Sequence, residues 1–323
     1  MRWSYCLLGQ CLFVLLFATG NSPFIIYRMS RLLDPKILMS IKDLQLAAKS
    51  TVDGFMAGIN KSTIKGQGLE FSQYRSYQPG DDLRQLDWKM YARSDRYYIR
   101  ESEVETSISV RFIIDASASM NHTDNGYTKI EYAKYLAASL AWLANLQSDA
   151  IGLYVAEQDS IFSLASRRDY QHLTRFYYQL DTIKAGGKFT QPVHYKDIFA
   201  ASTKRELVVF ITDLYEENSE IFDMMDALTT MKHEVIVFHL MGNNELNFDY
   251  KGYAALEDLE TGHLVRINTL QKNEAYQEKI THYLSGVRMK LLNKNIFYRL
   301  INMAEPLDQA LRDFLNQRNK LSV

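Results

Sequence analysis

Apolar and polar residues follow two alternating patterns through the middle of the chain, one typical of strands and one of helices. The short apolar stretches that predict strands cover residues 110–114, 150–155, 160–164, 207–212 and 234–240. Between them, apolar residues recur at helical spacing over residues 128–146, 169–183, 195–201 and 220–231. Strands that alternate with helices predict an α/β fold, in which a mostly parallel sheet carries helices on both faces.

Different patterns flank this central region. Asp34-Pro35 is a helix start, because Asp is a preferred N-cap and Pro fits the first helical position, and the helix is expected to run to about Met56. The patterns after the α/β region predict a hairpin at 253–266, a helix at 273–284, a strand at 296–301 and a helix after Pro306. We therefore divide the chain into an apolar leader (1–28), a segment with the N-terminal helix and a charged stretch (29–106), the α/β domain (107–245) and a C-terminal hairpin with helices (246–323).

The leader is open to more than one interpretation. Arg2, the apolar stretch 11–18 and the small residues 18–20 have the layout of a secretory signal. The apolar stretch is shorter than the roughly 20 residues that a membrane-spanning helix needs. Met29 opens a self-sufficient chain, so residues 1–28 are also compatible with a misassigned start codon. We expect a cytoplasmic protein, or an exported or membrane-tethered one if the leader is translated.

Charge and cysteine content exclude several classes of function. The 323 residues include 37 basic and 38 acidic ones, a net charge of −1, so no global field favours nucleic acid or an anionic membrane. Cys6 and Cys11 are the cysteines of the sequence, and both lie in the leader. The rest of the chain therefore has no disulfide, thiolate nucleophile or cysteine-bound metal.

Oxygen-bearing side chains follow two of the predicted strands. Asp115, Ser117 and Ser119 come after the central strand, Asp213 ends another strand, and Thr190 lies in a loop that can reach the same edge of the sheet. An all-oxygen set suits Mg²⁺, with Mn²⁺ and Ca²⁺ as alternatives, and excludes a typical zinc site. The alternative interpretation is structural, because Asp and Ser after a strand often cap the next helix.

Two groups of motifs resemble known families. Asp115-Ala-Ser117-Ala-Ser119 resembles the metal-ion-dependent adhesion site of von Willebrand factor A domains. A second set of motifs resembles the signature of the bacterial family catalogued as domain of unknown function 58, and comprises Gly66–Phe71, Arg75–Asp82, Arg84, Asp87-Trp88, Ala92-Arg93 and Asp258–Gly262. The resemblance extends from about Met29 to the C-terminus and leaves the leader out.

The resemblance implies a von Willebrand factor A-like (Rossmann-like) fold and a ligand set. It makes Asp115, Ser117 and Ser119 metal ligands and Thr190 a further ligand, with Asp213 acting directly or through water. In such sites an acidic side chain of a partner fills the open coordination position. Members of this family commonly accompany MoxR-type AAA+ ATPases, so the resemblance implies a non-enzymatic adaptor in the assembly or maturation of protein complexes.

Three other interpretations remain at this stage. A Mg²⁺-dependent phosphatase could use Asp115 as a phosphoryl acceptor, although Ser117 stands where the acid catalyst would be expected. An exported adhesion domain would use the leader. Residues 75–100 carry six basic and four acidic side chains among aromatics; we expect internal salt bridges there rather than a docking surface, and no nucleic-acid binding.

Overall fold

The structure, a computed structural model, describes residues 34–62, 73–78, 86, 88–101, 107–195, 205–216, 219–250, 255–266 and 274–321. The leader and most of the predicted helix at 195–201 lie outside these residues. No helix within the described ranges is both long and apolar enough to cross a membrane.

The described secondary structure follows the predicted alternation of strands and helices. The strands are β1 (Gln73–Ser76), β2 (Tyr98–Glu101), β3 (Ser109–Asp115), β4 (Thr123–Asp124), β5 (Tyr127–Thr128), β6 (Ala150–Glu157), β7 (Ser160–Arg167), β8 (Leu207–Thr212), β9 (Glu234–Met241), β10 (Ala255–Glu257), β11 (Leu264–Arg266) and β12 (Phe297–Asn302). The α-helices are α1 (Pro35–Met39), α2 (Leu44–Ser62), α3 (Trp88–Ser94), α4 (Lys129–Leu146), α5 (Tyr170–Thr182), α6 (Glu220–Thr230), α7 (Asn243–Asn247), α8 (Glu274–Leu292) and α9 (Asp308–Leu321).

Six strands form the main sheet, in the order β12-β9-β8-β3-β6-β7. All neighbouring pairs are parallel except β6 and β7, which form an antiparallel hairpin at one edge. The carboxyl ends of β3, β8 and β9 therefore meet at the same edge of the sheet. The predicted α/β class, with a mostly parallel sheet, is confirmed.

Helices cover both faces of this sheet because alternate residues of each central strand point to opposite sides. On one face, Phe112 and Ile114 belong to a buried apolar cluster that also contains residues of α2, α4, α5 and α9. On the other face, Ile113 belongs to a cluster with residues of α6 and α8. Burial on two sides explains why β8 is apolar from Leu207 to Ile211 and why residues 112–114 in the middle of β3 are apolar as well.

Side-chain caps fix the starts of α4 and α5. Thr128 accepts a hydrogen bond from Glu131 N, and the Glu131 carboxylate accepts one from Thr128 N, which is a capping box. Asp169 caps α5 by accepting from His172 N at 2.7 Å. The capping box places Lys129 in the first turn of α4, directly beneath the carboxyl edge of the sheet.

Two of the predicted helices have different bounds in the structure. The predicted N-terminal helix is broken into α1 and α2, because Ser40 Oγ donates back to Ile37 O and the Asp43 carboxylate caps a new helix at Leu46 N. The helix predicted at 273–284 continues to Leu292, since Val287 and Leu291 are buried against the sheet.

The charged stretch before the main sheet is only partly described. β1 pairs with β2 as a separate antiparallel ribbon. The side chains of Lys89, Arg93, Asp95 and Arg96 are exposed, whereas the other charged side chains of 75–100 lie outside the description. The salt bridges that we expected in this stretch stay a prediction, because six of its ten charged side chains lie outside the description.

Candidate metal centre at the carboxyl edge

Asp115 ends the central strand and lies fully buried at the carboxyl edge of the sheet. Its Oδ1 accepts a hydrogen bond from Ser117 N at 2.9 Å, and its Oδ2 accepts one from Thr212 Oγ1 at 2.7 Å. Thr212 belongs to β8, which pairs directly with β3. The carboxylate is therefore held between the two central strands in a fixed orientation.

A short chain of hydroxyl groups connects the loop after β3 to Asp213. Ser117 Oγ and Ser119 Oγ are hydrogen-bonded at 2.9 Å, and Ser119 Oγ donates to Asp213 Oδ1 at 3.1 Å. Ser117 occupies the N-cap position of a short 3₁₀ helix, but its side chain makes no capping hydrogen bond. The hydroxyl group of Ser117 thus contributes to the site rather than to the helix end.

Thr190 lies on a loop that is attached to the loop after β3. Ala118 N donates to Gly187 O and Gly186 N donates to Ala116 O, both at 2.8 Å. Thr190 is fully buried, and its Oγ1 has no hydrogen-bond partner. A buried hydroxyl without a partner is unfavourable, so this oxygen is available to a ligand in the site.

Lys129 is a member of the site that the sequence did not indicate. Its Nζ donates to Asp213 Oδ2 at 2.9 Å and to Glu245 Oε1 at 2.8 Å, and the lysine is almost fully buried. Glu245 is itself held by Gly242 N, which donates to its Oε2 at 2.7 Å. Because the three residues come from α4, the end of β8 and α7, no local sequence pattern relates them.

The two aspartates of the site differ in their electrostatic environment. Burial and the charge of Asp213 raise the pKa of Asp115 to about 7, against the opposing effect of its hydrogen bonds. Burial also acts to raise the pKa of Asp213, but the Lys129 ammonium outweighs it and lowers that pKa. Lys129 thus compensates the charge of Asp213, whereas no cation of the described residues compensates the charge of Asp115.

Glu260 also faces the two aspartates, from the turn between β10 and β11. Burial, followed by the charges of Asp115 and Asp213, raises the pKa of Glu260 to about 7. Its Oε1 is buried and has no hydrogen-bond partner. The motif Asp258–Gly262 stood out in the sequence only through a family resemblance, which gave Glu260 no role.

A cavity of about 600 Å³ lies beside these residues, within the usual size range of ligand pockets. Ser119, Lys129 and Asp213 line its floor, and Asp258 and Leu259 of the hairpin line another side. The β10–β11 hairpin therefore lies over the carboxyl edge of the sheet, next to the predicted ligands.

The donor set suits a hard divalent cation. Among the described residues, no group of three or more His, Cys, Asp or Glu side chains is arranged to hold a metal ion, so a site here depends on hydroxyl groups as well as carboxylates. The structure brings together Asp115, Ser117, Ser119 and Asp213, and the Thr190 hydroxyl, on the adjoining loop, has no other partner. Carboxylate and hydroxyl oxygens are the ligands that Mg²⁺ prefers, and the residues fit such an ion.

Comparison with known sequences places the chain in a family. The model described as Protein of unknown function DUF58 matches residues 73–283, which is more than half of the chain. The chain belongs to the DUF58 family. The matched region of this DUF58 protein contains every residue of the candidate site, and it confirms the family to which the sequence motifs pointed.

The chain is also similar to other known proteins and to solved structures. Uncharacterized protein Rv1480 of Mycobacterium tuberculosis is 25% identical over 234 residues, covering 71% of the DUF58 chain and 73% of the relative. The conserved hypothetical protein BatB from Bacteroides thetaiotaomicron is 17% identical, with a TM-score of 0.45, over 66% of this chain and all of that one (100%). The SpRpn10 VWA domain is 14% identical, with a TM-score of 0.37, over 65% and 95% of the two chains.

TM-scores this low carry no weight for function. The von Willebrand factor A-like fold of this DUF58 protein follows from its own topology, with a parallel sheet, one antiparallel edge strand and Asp115 at the end of the central strand.

Proposed function

We propose that this DUF58 protein is a non-enzymatic adaptor that binds a protein partner through a divalent cation, with Mg²⁺ as the preferred ion. The family and the fold support a protein-interaction domain in general terms. The cation would be held by Asp115, Ser117, Ser119 and Thr190, with Asp213 as a ligand either directly or through water.

The main support for the proposal is that buried polar groups of the site lack a partner for their hydrogen-bonding capacity or their charge. Within the part of the chain that the structure describes, the Thr190 hydroxyl has no hydrogen-bond partner, and the buried carboxylate of Asp115 lies near Asp213 without a paired cation. Buried carboxylates are stable when they are paired or coordinate a metal ion. One divalent cation would satisfy both residues at once.

The proposed partner is a protein that supplies an acidic side chain to the ion, in a complex with a MoxR-type AAA+ ATPase. Such a complex would act in the assembly or maturation of other protein complexes. We place this adaptor in the cytoplasm, where a bacterial AAA+ ATPase has access to ATP.

Affinity capture tests the proposal. The tagged full chain would be incubated with lysate of its source bacterium in Mg²⁺ and in EDTA, together with Asp115→Ala and the control Asp159→Ala, which removes an exposed carboxylate after β6. We expect an AAA+ ATPase to be recovered by wild type and Asp159→Ala in Mg²⁺, and to be lost in EDTA and with Asp115→Ala. Equal recovery in all samples would contradict metal-dependent binding, and recovery without any AAA+ ATPase would contradict the partnership.

A further inference from the structure

The turn of the β10–β11 hairpin is fixed above the candidate metal centre by one aspartate. Asp258 Oδ2 accepts a hydrogen bond from Tyr215 Oη at 2.6 Å, which ties the hairpin to the loop after β8. Asp258 Oδ1 accepts from Glu260 N at 2.9 Å, and Gly262 N donates to Asp258 O at 2.8 Å. These bonds set the position of Glu260 relative to Asp213, which is only two residues from Tyr215.

One carboxylate oxygen of the half-buried Glu260 side chain is directed toward the site rather than toward water. Its Oε1 is buried without a partner, although the exposed surface of the hairpin offers abundant water. The Glu260 carboxyl lies near Ser119, Asp115 and Asp213, so it shares the site with two other acidic groups. Ionised carboxyl groups that lie close together repel one another, and a cation near them would relieve this repulsion.

Neighbouring acidic residues do not share this arrangement. Glu245 is committed to Lys129 and to Gly242 N. Glu257, on the same hairpin, is exposed. The buried and unpartnered Thr190 hydroxyl is a second, independent sign that a ligand is expected among these groups.

We propose that Glu260 is an internal acidic ligand of the cation, and that it fills the coordination position otherwise left for the acid of a partner. This inference rests on the metal-dependent function proposed above. It makes the hairpin an intramolecular competitor, because a carboxylate of a partner reaches the ion only when Glu260 leaves it. The Tyr215–Asp258 hydrogen bond holds the hairpin in the closed position.

Mn²⁺ binding to the purified full chain tests this role, with electron paramagnetic resonance to count free ions. Wild type would be compared with Glu260→Gln, with Asp115→Ala and with the control Glu257→Gln. We expect Glu260→Gln to weaken Mn²⁺ binding by about tenfold or more, Glu257→Gln to leave it unchanged and Asp115→Ala to abolish it. In hydrogen exchange, Mn²⁺ should increase the protection of amides 255–266 in wild type and in Glu257→Gln, but not in Glu260→Gln.

The outcomes separate the two proposals. If wild type binds Mn²⁺ and Asp115→Ala does not, while Glu260→Gln binds as tightly as wild type or more tightly, Glu260 is not a ligand and the proposed adaptor function stands. Unchanged hairpin protection on addition of Mn²⁺ to wild type would overturn the internal ligand in the same way. If wild type binds no Mn²⁺, both proposals are wrong.

Discussion

The two ends of the main sheet both bury charged side chains, but they balance these charges differently. At the amino end, Arg111 forms a two-pronged pair with Glu206, with nitrogen-to-oxygen distances of 2.8 and 3.1 Å. Arg318 pairs in the same way with Asp149, at 2.7 and 2.9 Å. At the carboxyl end, Lys129 is shared by Asp213 and Glu245, while Asp115 and Glu260 face the same space.

This difference in charge balance distinguishes the structural ion pairs at the amino end from the candidate binding site at the carboxyl end. Although burial acts to raise the pKa of Glu206, the hydrogen bond and charge of Arg111 lower it, so the ionised pair is satisfied within the protein. The pKa values of Asp115 and Glu260 are instead raised to about 7, first by burial and then by the charges of neighbouring acidic groups. The acidic side chains at the amino end are paired with arginines, whereas those at the carboxyl end outnumber the nearby cations. This excess of acidic groups indicates a place where a cation could bind.

The largest expected effect comes from removing one buried cation at each end. Arg318→Met should lower the free energy of unfolding by about 3–5 kcal/mol, because it leaves Asp149 buried and unpaired. Lys129→Met should lower the free energy of unfolding by a similar amount when it is measured in EDTA. Added Mg²⁺ should recover a large part of the loss in Lys129→Met and none in Arg318→Met, because the proposed ligands of the ion lie at the carboxyl end. Urea unfolding of both variants with and without Mg²⁺ measures this.

The exposed Arg175→Ala serves as control and should change stability by less than about 0.5 kcal/mol. Equal rescue of both methionine variants by Mg²⁺ would remove the distinction between the two ends.

A smaller effect is expected in the dependence of stability on pH. The folded protein retains a proton on Asp115 up to about pH 7, whereas the unfolded chain releases it near pH 4. In EDTA, the wild type should therefore lose stability relative to Asp115→Asn as the pH rises from about 4 to about 7, by at most about 1.4 kcal/mol per pH unit. Mg²⁺ should reduce this slope because it stabilises the charged carboxylate. A wild type that gains stability relative to the variant over this range would contradict the raised pKa.

The smallest effect concerns two buried threonines with different partners. Thr51 Oγ1 donates to Ala47 O at 2.8 Å, whereas Thr190 Oγ1 has no partner. Thr51→Val should lower the free energy of unfolding by about 1 kcal/mol with or without Mg²⁺. Thr190→Val should leave the free energy of unfolding in EDTA unchanged. In Mg²⁺, Thr190→Val should be less stable than wild type, because it loses a ligand. Thermal unfolding in both conditions checks the pair, and identical behaviour of wild type and Thr190→Val in Mg²⁺ would argue against a role for this hydroxyl.

The sequence predicted the strands of the sheet and part of the site, because these depend on local pattern and on one topological rule. The apolar run at 207–212 matches β8 residue for residue. The rule that parallel strands end at one edge brought Asp115 and Asp213 together correctly. Their role as metal ligands stays a prediction.

Other members of the site were missed because they meet only through tertiary contacts. Lys129 is 84 positions from Asp213 and 116 from Glu245, and a lysine in the first turn of a helix is usually exposed. Glu260 is placed by the Tyr215–Asp258 hydrogen bond, which spans 43 positions. The separation of α1 from α2 was missed because the cap at Asp43 interrupts an otherwise continuous apolar pattern.

The central claim is that the carboxyl edge of the sheet binds one divalent cation through Asp115. Isothermal titration calorimetry of Mg²⁺ into the EDTA-free wild type and Asp115→Asn tests it most directly, because asparagine keeps the shape of the side chain and removes its charge. We predict one bound Mg²⁺ per chain in the wild type and none in Asp115→Asn. The absence of binding to the wild type, or equal binding to both proteins, would contradict the claim.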